Sequence, residues 1–415
     1  MNNKNKSKGD SKYIIQNHLD KIGEIAVYYG FMPVKSPSIT KEDIDAAKDV
    51  MEGDYVDDET EDHVRLPLHV EEKISLIRMY HEQNMHAMQQ PVMLYFKDPC
   101  KGVSTAGGHR SGHHRYADME ILGSSGPIAE ATLIQAARTM LAEEGYVSTT
   151  VEINSIGDRD SIARFSRELT AYYRKQINDM PAACRELFKK DPFELLACRD
   201  KECAELNAKA PKALDFLTET SRRHLEETLE YLEALKIPYS VNNGLLGNRK
   251  YCTETVFTII DTSSSGKYHR VLSVGVRYNS LAKRLSMKRD IQGVGISLLI
   301  KGGKNNLRKT VAKTKRPVAS FIQLSLESKL LSLDIIEKLR LAKIPLYLSL
   351  AKDRLGAQVS CIERYNTPYL IVMGKKEAMD RTAVVRRNDT HSQDIVPLDD
   401  LPKYMKKVEA LVWKK

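Results

Sequence analysis

The sequence predicts an α+β protein: an antiparallel-sheet domain interrupted by a helical insertion, followed by a smaller α/β module. Two apolar strand-like segments, 91–96 and 118–122, flank a long polar loop and precede a strong helix at 127–144, which is typical of an antiparallel sheet. Residues 161–231 have an almost wholly helical pattern, and strand and helix patterns alternate after residue 317.

The elements of the first half follow from apolar spacing and turn signals. Apolar residues at helical spacing predict a helix over 13–29, and the glycine and prolines of 30–37 predict an extended segment after it. The acidic stretch 54–62 is an expected loop, and 70–89 an amphipathic helix. Pro127 suits the first turn of the helix after the return strand, where no N–H donor is needed.

The second half adds strands and then changes pattern. Strands are predicted at 251–261, 268–278 and 294–300, with a serine-rich turn between the first two. The C-terminal alternation comprises strand 318–324, helix 328–342, strand 346–350, helix 355–365, strand 369–372, a hairpin around 384–396 and helix 401–412.

Length and composition favour a multidomain globular protein. A chain of 415 residues exceeds one ordinary core, and 42% hydrophobic with 29% charged residues is a globular composition. No apolar run is long enough to span a bilayer, so no membrane partner is expected. Residues 1–12 are rich in Asn, Lys and Ser, which indicates a basic disordered tail without a secretory signal and predicts a cytoplasmic location.

The cysteines are scattered over the chain. In a chain of this size they are expected to be free thiols in a reducing cytoplasm. Cys184, Cys198 and Cys203 are near one another in sequence and could in principle hold zinc. The paired C-x₂-C spacing of structural zinc sites is missing, so no metal site is predicted.

A net charge of +9 favours a polyanionic partner, because lysine and arginine release counterions from phosphates on binding. The positive charge is also concentrated in two segments of the chain. Basic residues crowd the segment 283–316, where the single acid is Asp290, and they recur beside the glycine- and histidine-rich loop 102–114. The predicted nucleic-acid contacts in these two segments are Arg110, Arg115, Lys309, Lys313 and Arg316.

Four segments carry a resemblance to a known family. They are INSIGD at 153–158, DPFELLACRD at 191–200, YCTETVF at 251–257 and GVRYN at 275–279. In order and spacing they resemble elements of the histidyl-tRNA synthetases. The resemblance implies the class II aminoacyl-tRNA synthetase sheet domain with a helical insertion, and a homodimer with Pro37 at its interface.

The C-terminal module carries a second resemblance. IVMG at 371–374 and VVRRN at 384–388 resemble the anticodon-binding domain shared by the histidyl, glycyl, threonyl and prolyl enzymes. That domain is expected to contact the anticodon stem and loop through exposed strands and cationic side chains. The local candidates are Lys375, Lys376, Arg386 and Arg387.

The catalytic positions that the resemblance implies are changed. Polarising the α-phosphate of ATP requires fixed guanidinium donors. Lys97 stands in place of the ATP-clamping arginine, and Gly247 in place of a catalytic arginine, with Arg249 two residues on. The adenine-stacking arginine is absent from 293–301, and 66–71 lacks the acid and threonine that hold the substrate amino group. The remaining catalytic candidates are Lys97, Glu120, Arg249 and Tyr251.

The sequence therefore predicts a non-aminoacylating relative of these synthetases, a pseudoenzyme that binds tRNA or another structured RNA. No cofactor is predicted; ATP and Mg²⁺ would be bound only by an active enzyme. Two alternatives stay open: a divergent active histidine–tRNA ligase, and a regulatory subunit like that of ATP phosphoribosyltransferase, which typically lacks the anticodon-type domain. The predicted boundaries are a tail at 1–12, a first half-domain at 13–157, the insertion at 158–240, a second half-domain at 241–302, a basic linker at 303–316 and the C-terminal module at 317–415.

Overall fold

The protein contains two β-sheets, one of eight strands and one of five, in the residues that the computed structural model describes. These residues are 19–51, 70–88, 90–97, 114–198, 201–263, 269–285, 287, 290–301, 317–348, 358 and 367–412. The antiparallel-rich first sheet and the separate C-terminal sheet confirm the predicted α+β class. Within these ranges, no helix has the length and apolar composition needed to cross a membrane.

The first sheet takes its strands from both sides of the helical insertion. Its strands are β1 (Met32–Pro33), β2 (Val92–Lys97), β3 (His114–Leu122), β4 (Thr149–Gly157), β5 (Tyr239–Val241), β6 (Thr253–Asp261), β7 (Arg270–Arg277) and β8 (Gly293–Lys301). They are arranged in the order β1-β2-β3-β8-β7-β6-β4-β5. The two edge pairs, β1 with β2 and β4 with β5, are parallel, and the remaining pairs are antiparallel.

The helices around this sheet agree with the apolar patterns, with shifted ends. They are α1 (Lys21–Tyr28), α2 (Lys41–Met51), α3 (Val70–Glu82), α4 (Ile128–Glu143), α5 (Arg159–Lys175), α6 (Ala182–Lys190), α7 (Pro192–Ala197), α8 (Lys201–Ala208), α9 (Glu219–Ala234) and α10 (Leu281–Arg284). The predicted helix at 13–29 begins only at Lys21, because the Asp20 side chain accepts from the Gly23 N–H and caps it. Residues 13–18 lie outside the described residues.

The insertion begins directly after β4. Gly157 has φ +69° and is followed by Asp158, whose carboxylate accepts from the Ser161 N–H at 2.9 Å and caps α5. Thr218 Oγ1 donates to the same carboxylate at 2.8 Å. Asp158 therefore ties the entry of the insertion to the start of α9.

The cysteine prediction is wrong for one pair. Cys184 on α6 and Cys203 on α8 form a disulfide, with their Cα atoms 6.6 Å apart. The pair is separated by 19 residues, and the packing of α6 beside α8 brings the thiols together, which sequence spacing could not show. Cys198 and Cys252 are not in a disulfide, as expected.

The C-terminal module has a mixed sheet. Its elements are β9 (Ala319–Gln323), α11 (Leu326–Leu341), β10 (Leu346–Leu348), β11 (Tyr369–Met373), α12 (Lys375–Met379), β12 (Thr382–Arg387), β13 (Gln393–Pro397) and α13 (Leu401–Val412). Strands β10, β9 and β11 are parallel, and β12 and β13 extend the sheet as the predicted hairpin. The predicted helix at 355–365 lies outside the described residues except for Gln358, which is helical.

The module packs on the helical face of the first domain through α11. The buried Tyr29 hydroxyl donates to Glu337 Oε2 at 2.7 Å, and Arg340 holds the same carboxylate with two hydrogen bonds. Burial, followed by the Glu337 charge, raises the pKa of Tyr29, so the hydroxyl stays protonated and can donate. The two domains share one apolar core at this contact.

A buried ion pair joins the sheet to α4. Arg277 Nε and Nη2 each donate at 2.6 Å to the two carboxylate oxygens of Glu130, and both side chains are fully buried. His224 on α9 contacts Glu130 Oε1 at 2.8 Å. Burial alone would raise the pKa of Glu130, but Arg277 and His224 overcome it and lower the pKa to about 2. The pair therefore stays charged at neutral pH.

Removing one partner of this pair should be costly. We expect Arg277→Met to lower the free energy of unfolding by roughly 3–5 kcal/mol, because Glu130 would keep a buried charge without its main partner. The double variant Arg277→Met/Glu130→Met should recover most of the loss. Urea unfolding followed by circular dichroism measures both. Arg223→Met, which breaks an exposed pair with Glu219, is the control and should cost less than about 1 kcal/mol. Equal effects of Arg277→Met and Arg223→Met would contradict this assignment.

Candidate functional site

A cluster of buried polar side chains lies at the centre of the first sheet. Lys73 on α3 pairs its ammonium with the carboxylate of Glu120 on β3, and the hydroxyl of Tyr278, just after β7, donates to Glu120 Oε2 at 2.6 Å. The exposed fraction is 2% for Lys73 and 0% for Glu120 and Tyr278. Glu120 thus has two protein partners and almost no contact with solvent.

Two glycines of β8 make room for these side chains. Gly295 is the register partner of Glu120, and a Cβ at this position would overlap the Glu120 carboxylate. A Cβ on Gly293 would likewise overlap the ring of Tyr278. Glycine is therefore required at both positions by the close approach of Glu120 and Tyr278 to the strand.

Lys73 keeps its positive charge in the cluster at neutral pH. Burial lowers the pKa of Lys73, but the paired Glu120 carboxylate outweighs burial and raises the pKa overall, so the ammonium persists. Asp118, also on β3, is fully buried beside the Ser297 side chain of β8. Burial and then repulsion by Glu72 raise the pKa of Asp118 to about 8. Asp118 is therefore mostly protonated at pH 7 and adds little charge.

Tyr251, a predicted catalytic residue, borders this cluster. It is 3% exposed, and burial together with the neighbouring Cys252 raises its pKa well above the ordinary value. Burial also raises the pKa of the Cys252 thiol to about 12. Both groups are therefore protonated at neutral pH, and neither offers an anionic nucleophile or base.

Lys97 and Arg249 lie apart from the cluster and have carboxylate partners of their own. Lys97, the last residue of β2, pairs with Asp20, the residue that caps α1. Arg249 Nη1 donates to Asp191 Oδ1 at 2.7 Å, and its guanidinium carbon lies 4.3 Å from the centroid of the Phe193 ring. Both contacts of Arg249 are to the insertion, so this arginine holds the insertion against the loop before β6.

The predicted RNA contacts divide into two groups. Arg386 and Arg387 end β12 and are exposed. Arg387 pairs with Asp389 at 2.7 Å, whereas Arg386 contacts the His391 ring at 3.0 Å and has no carboxylate partner within the described part of the chain. Arg386 is therefore the freer cation of the two. Arg110, Lys309, Lys313 and Arg316 lie outside the described residues, and of Arg115 only the backbone position in β3 is described.

Sequence reasoning missed Lys73, Asp118 and Tyr278 as members of the cluster. Lys73 had a detectable signal, since it stands three residues after Val70 and four before Ile77, on the apolar stripe of a predicted amphipathic helix. A charged residue on an apolar stripe indicates a buried partner. Asp118 gave no comparable signal, because its environment depends on the pairing of β3 between β2 and β8.

Asp118 and Asp43, which are both buried in this domain, should respond oppositely to pH. The raised pKa of Asp118 means that folding favours its protonated form, so its contribution to stability falls as pH rises from about 4 to 8, by at most about 1.4 kcal/mol per pH unit. Asp118→Asn should therefore be more stable than wild type at pH 8, and the difference should vanish in acid. Urea unfolding at a series of pH values measures it.

Asp43 supplies the matched control. Burial raises the pKa of Asp43, but the two hydrogen bonds from Arg78 outweigh it and leave the pKa lowered. Its stabilisation is present above the unfolded pKa and is lost as pH falls, so Asp43→Asn should be less stable than wild type at pH 8. If Asp118→Asn also loses stability at pH 8, Asp118 is ionised in the folded protein and the assignment fails.

Comparison with known proteins places these features in a family. A family model described as "Anticodon binding domain" matches residues 323–408. The histidine–tRNA ligase of Listeria monocytogenes serotype 4b is 26% identical over 80% of this chain and 79% of its own length. That of Symbiobacterium thermophilum is 24% identical over 93% and 92%. A crystal structure of apo Staphylococcus aureus histidyl-tRNA synthetase, 21% identical, covers 80% of this chain and 82% of its own, with a TM-score of 0.44.

The sequence matches extend over nearly the whole chain and end in a module of the expected kind. The low identities agree with the changed motif residues. The described sheets agree with the expected pair of domains, an antiparallel-rich sheet with a helical insertion and a separate C-terminal sheet. Over nearly its whole length the chain is therefore similar, at low identity, to the histidyl-tRNA synthetases, which are class II aminoacyl-tRNA synthetases, and it has an anticodon-binding domain at residues 323–408.

Proposed function

We propose that this protein does not aminoacylate and instead binds tRNA or another structured RNA, in a regulatory or accessory role. The observation that carries the proposal is the ion pair between Lys73 and Glu120. If Glu120 marks the amino-acid pocket, as the family resemblance implies, the Lys73 ammonium takes the place that a substrate ammonium would need. Displacing Lys73 would leave a second buried charge without a partner, at a cost of several kcal/mol.

The described residues also do not fit ATP and Mg²⁺. Charge that develops on phosphorus must be stabilised by donors that are fixed and available. Lys97 is paired with Asp20, and Arg249 is held by Asp191 and Phe193. Asp118 is mostly protonated at neutral pH, so it is a poor ligand for a hard cation. The cationic candidates for the nucleotide site are thus engaged in contacts within the protein.

RNA binding is supported by the anticodon-binding domain and by the net charge of +9. Arg386 stands exposed at the end of β12, with Lys375 and Lys376 exposed at the start of α12. Because β11 and β12 are antiparallel, Arg386 lies beside the start of β11 and the two lysines follow its end. Exposed strands and cationic side chains are the features expected for contacts with an anticodon stem and loop. The basic segment at 303–316 would add phosphate contacts between the two domains.

A divergent active ligase is the second candidate, favoured by the names of the relatives. A regulatory subunit like that of ATP phosphoribosyltransferase ranks last, because this chain has the anticodon-binding domain.

We also propose that the protein is a homodimer, that it is cytoplasmic, and that its domains have the boundaries given above. Sedimentation equilibrium and limited proteolysis would test the dimer and the boundaries.

Histidine-dependent exchange of pyrophosphate into ATP separates the two leading candidates. We expect the purified protein to show no exchange above a no-histidine blank, because the pocket carboxylate already has an internal cation. A histidine–tRNA ligase measured in parallel provides the positive control. Robust histidine-dependent exchange would overturn the pseudoenzyme proposal and leave the active-ligase alternative.

RNA binding is tested by affinity across a salt series, with a histidine tRNA transcript as probe. We expect charge reversal at Lys309, Lys313 and Arg316, or Arg386→Glu alone, to weaken binding and to flatten the plot of log affinity against log salt, by about 0.7–0.9 per lost phosphate contact. Arg167→Glu, at an exposed position on α5, is the matched control and should leave the slope unchanged.

Two results would contradict this part of the proposal. No binding at low salt would remove RNA as the partner and leave a protein-interaction role. Binding with an unchanged slope in the variants would remove the basic segment and β12 from the contact surface. Circular dichroism of each variant establishes that a loss of affinity is not a loss of fold.

A further inference from the structure

Three cysteines of the insertion meet at one point although they are spread along the sequence. The sulfur atoms of Cys184, Cys198 and Cys203 all lie within 4.8 Å of one another. Cys184 and Cys203 are buried, at 1% and 0% exposed, and Cys198 is half-buried. The cluster is remote from the Lys73 and Glu120 pair in sequence and lies among different helices, so it is unexplained by the proposed function.

The fold holds each sulfur in place. Cys184 is the third residue of α6 and Cys203 the third of α8, so both sulfurs are carried by the first turns of helices. Cys198 directly follows α7. The Asn207 side-chain amide donates to the carbonyl of Leu195 at 2.8 Å and also contacts that of Cys198 at 3.4 Å, which fixes the end of α7 against α8.

We propose that Cys184, Cys198 and Cys203 bind one Zn²⁺ ion when the disulfide is reduced. Zinc–sulfur distances of about 2.3 Å place tetrahedral sulfur ligands about 3.8 Å apart, which the present cluster reaches with small side-chain rotations. Three thiolates suit a borderline-soft cation better than Mg²⁺ or Ca²⁺. The fourth position is filled by water on the half-exposed side of Cys198, as at zinc sites with three protein ligands.

Reduction of the Cys184–Cys203 disulfide by a dithiol is balanced in electrons and protons. The reductant supplies two electrons and two protons, which break the Cys184–Cys203 bond and give two thiols and the oxidised reductant. Zinc then displaces three thiol protons from the three cysteines. The disulfide and the zinc complex therefore exclude each other, and the redox state selects between them.

The number of thiols argues for a metal ion rather than for a disulfide alone. Helices α6, α7 and α8 have 9, 6 and 8 residues, and helices this short are not stable in isolation. The disulfide links α6 with α8 only. A metal ion also links Cys198 and so adds the end of α7, which holds all three helices with one centre.

Metal binding is tested on the full-length protein after reduction with a phosphine and removal of the excess. Co²⁺ serves as the spectroscopic probe, because thiolate ligation gives a near-ultraviolet charge-transfer band and tetrahedral geometry gives strong visible bands. We expect saturation near one equivalent, displacement by Zn²⁺, and one zinc per chain by elemental analysis. Oxidised protein should bind no Co²⁺ until reductant is added, which is a control that needs no mutation.

Variants then identify the ligands. Cys198→Ser keeps the disulfide pair and should lower Co²⁺ affinity by at least about tenfold, with loss of charge-transfer intensity. Cys252→Ser, at a buried free cysteine outside the cluster, should bind like wild type. A Cys100→Ser/Cys361→Ser variant should also bind like wild type, since these cysteines are not proposed ligands. Reduced wild type that binds no Co²⁺, or a Cys198→Ser variant that binds equally well, would overturn the proposal.

Discussion

The ion pair between Lys73 and Glu120 is the interaction on which the functional account depends. Both charges are almost fully buried, and a buried charge is tolerated only with a close partner and further hydrogen bonds. Tyr278 supplies the additional hydrogen bond, and Gly295 supplies the space. The protein itself therefore supplies the cation and the hydrogen-bond donor that Glu120 needs. A ligand ammonium would have to compete with an internal one that is tethered to α3 and loses little entropy on pairing.

Arginine side chains elsewhere in the first domain are also paired with carboxylates of the protein. Arg277 is paired with Glu130 and joins helix α4 to the sheet. Arg249 is paired with Asp191 and joins the insertion to the loop before β6. In an enzyme that handles ATP, arginines near the sheet would instead remain available for phosphate. Among the predicted contact residues whose side chains the structure describes, the exposed cations belong to the C-terminal module, where Arg386 faces solvent. The distribution of cations therefore favours a polyanion at the C-terminal module over a nucleotide in the sheet.

Sequence patterns predicted the fold better than the site. The amphipathic stretch at 70–89 and the paired strands around the glycine-rich loop have strong local signals, and they form α3, β2 and β3. The partners of Lys97 and Arg249 were not predictable, because Asp20 and Asp191 lie far away in sequence and meet them only through tertiary packing. The cysteine cluster was missed for the same reason, since motif spacing describes ligands within one turn or hairpin and not ligands on three helices.

Calorimetric titration of the purified protein with histidine, with and without a nonhydrolysable ATP analogue, tests the central claim most directly. It measures occupancy of the pocket without requiring any later chemical step. We expect no saturable binding up to about 1 mM histidine, the upper end of ordinary Michaelis constants, because Lys73 already neutralises Glu120. Saturable submillimolar binding that is abolished by Glu120→Gln would contradict it, since Glu120 would then be accepting a substrate cation in spite of its internal partner.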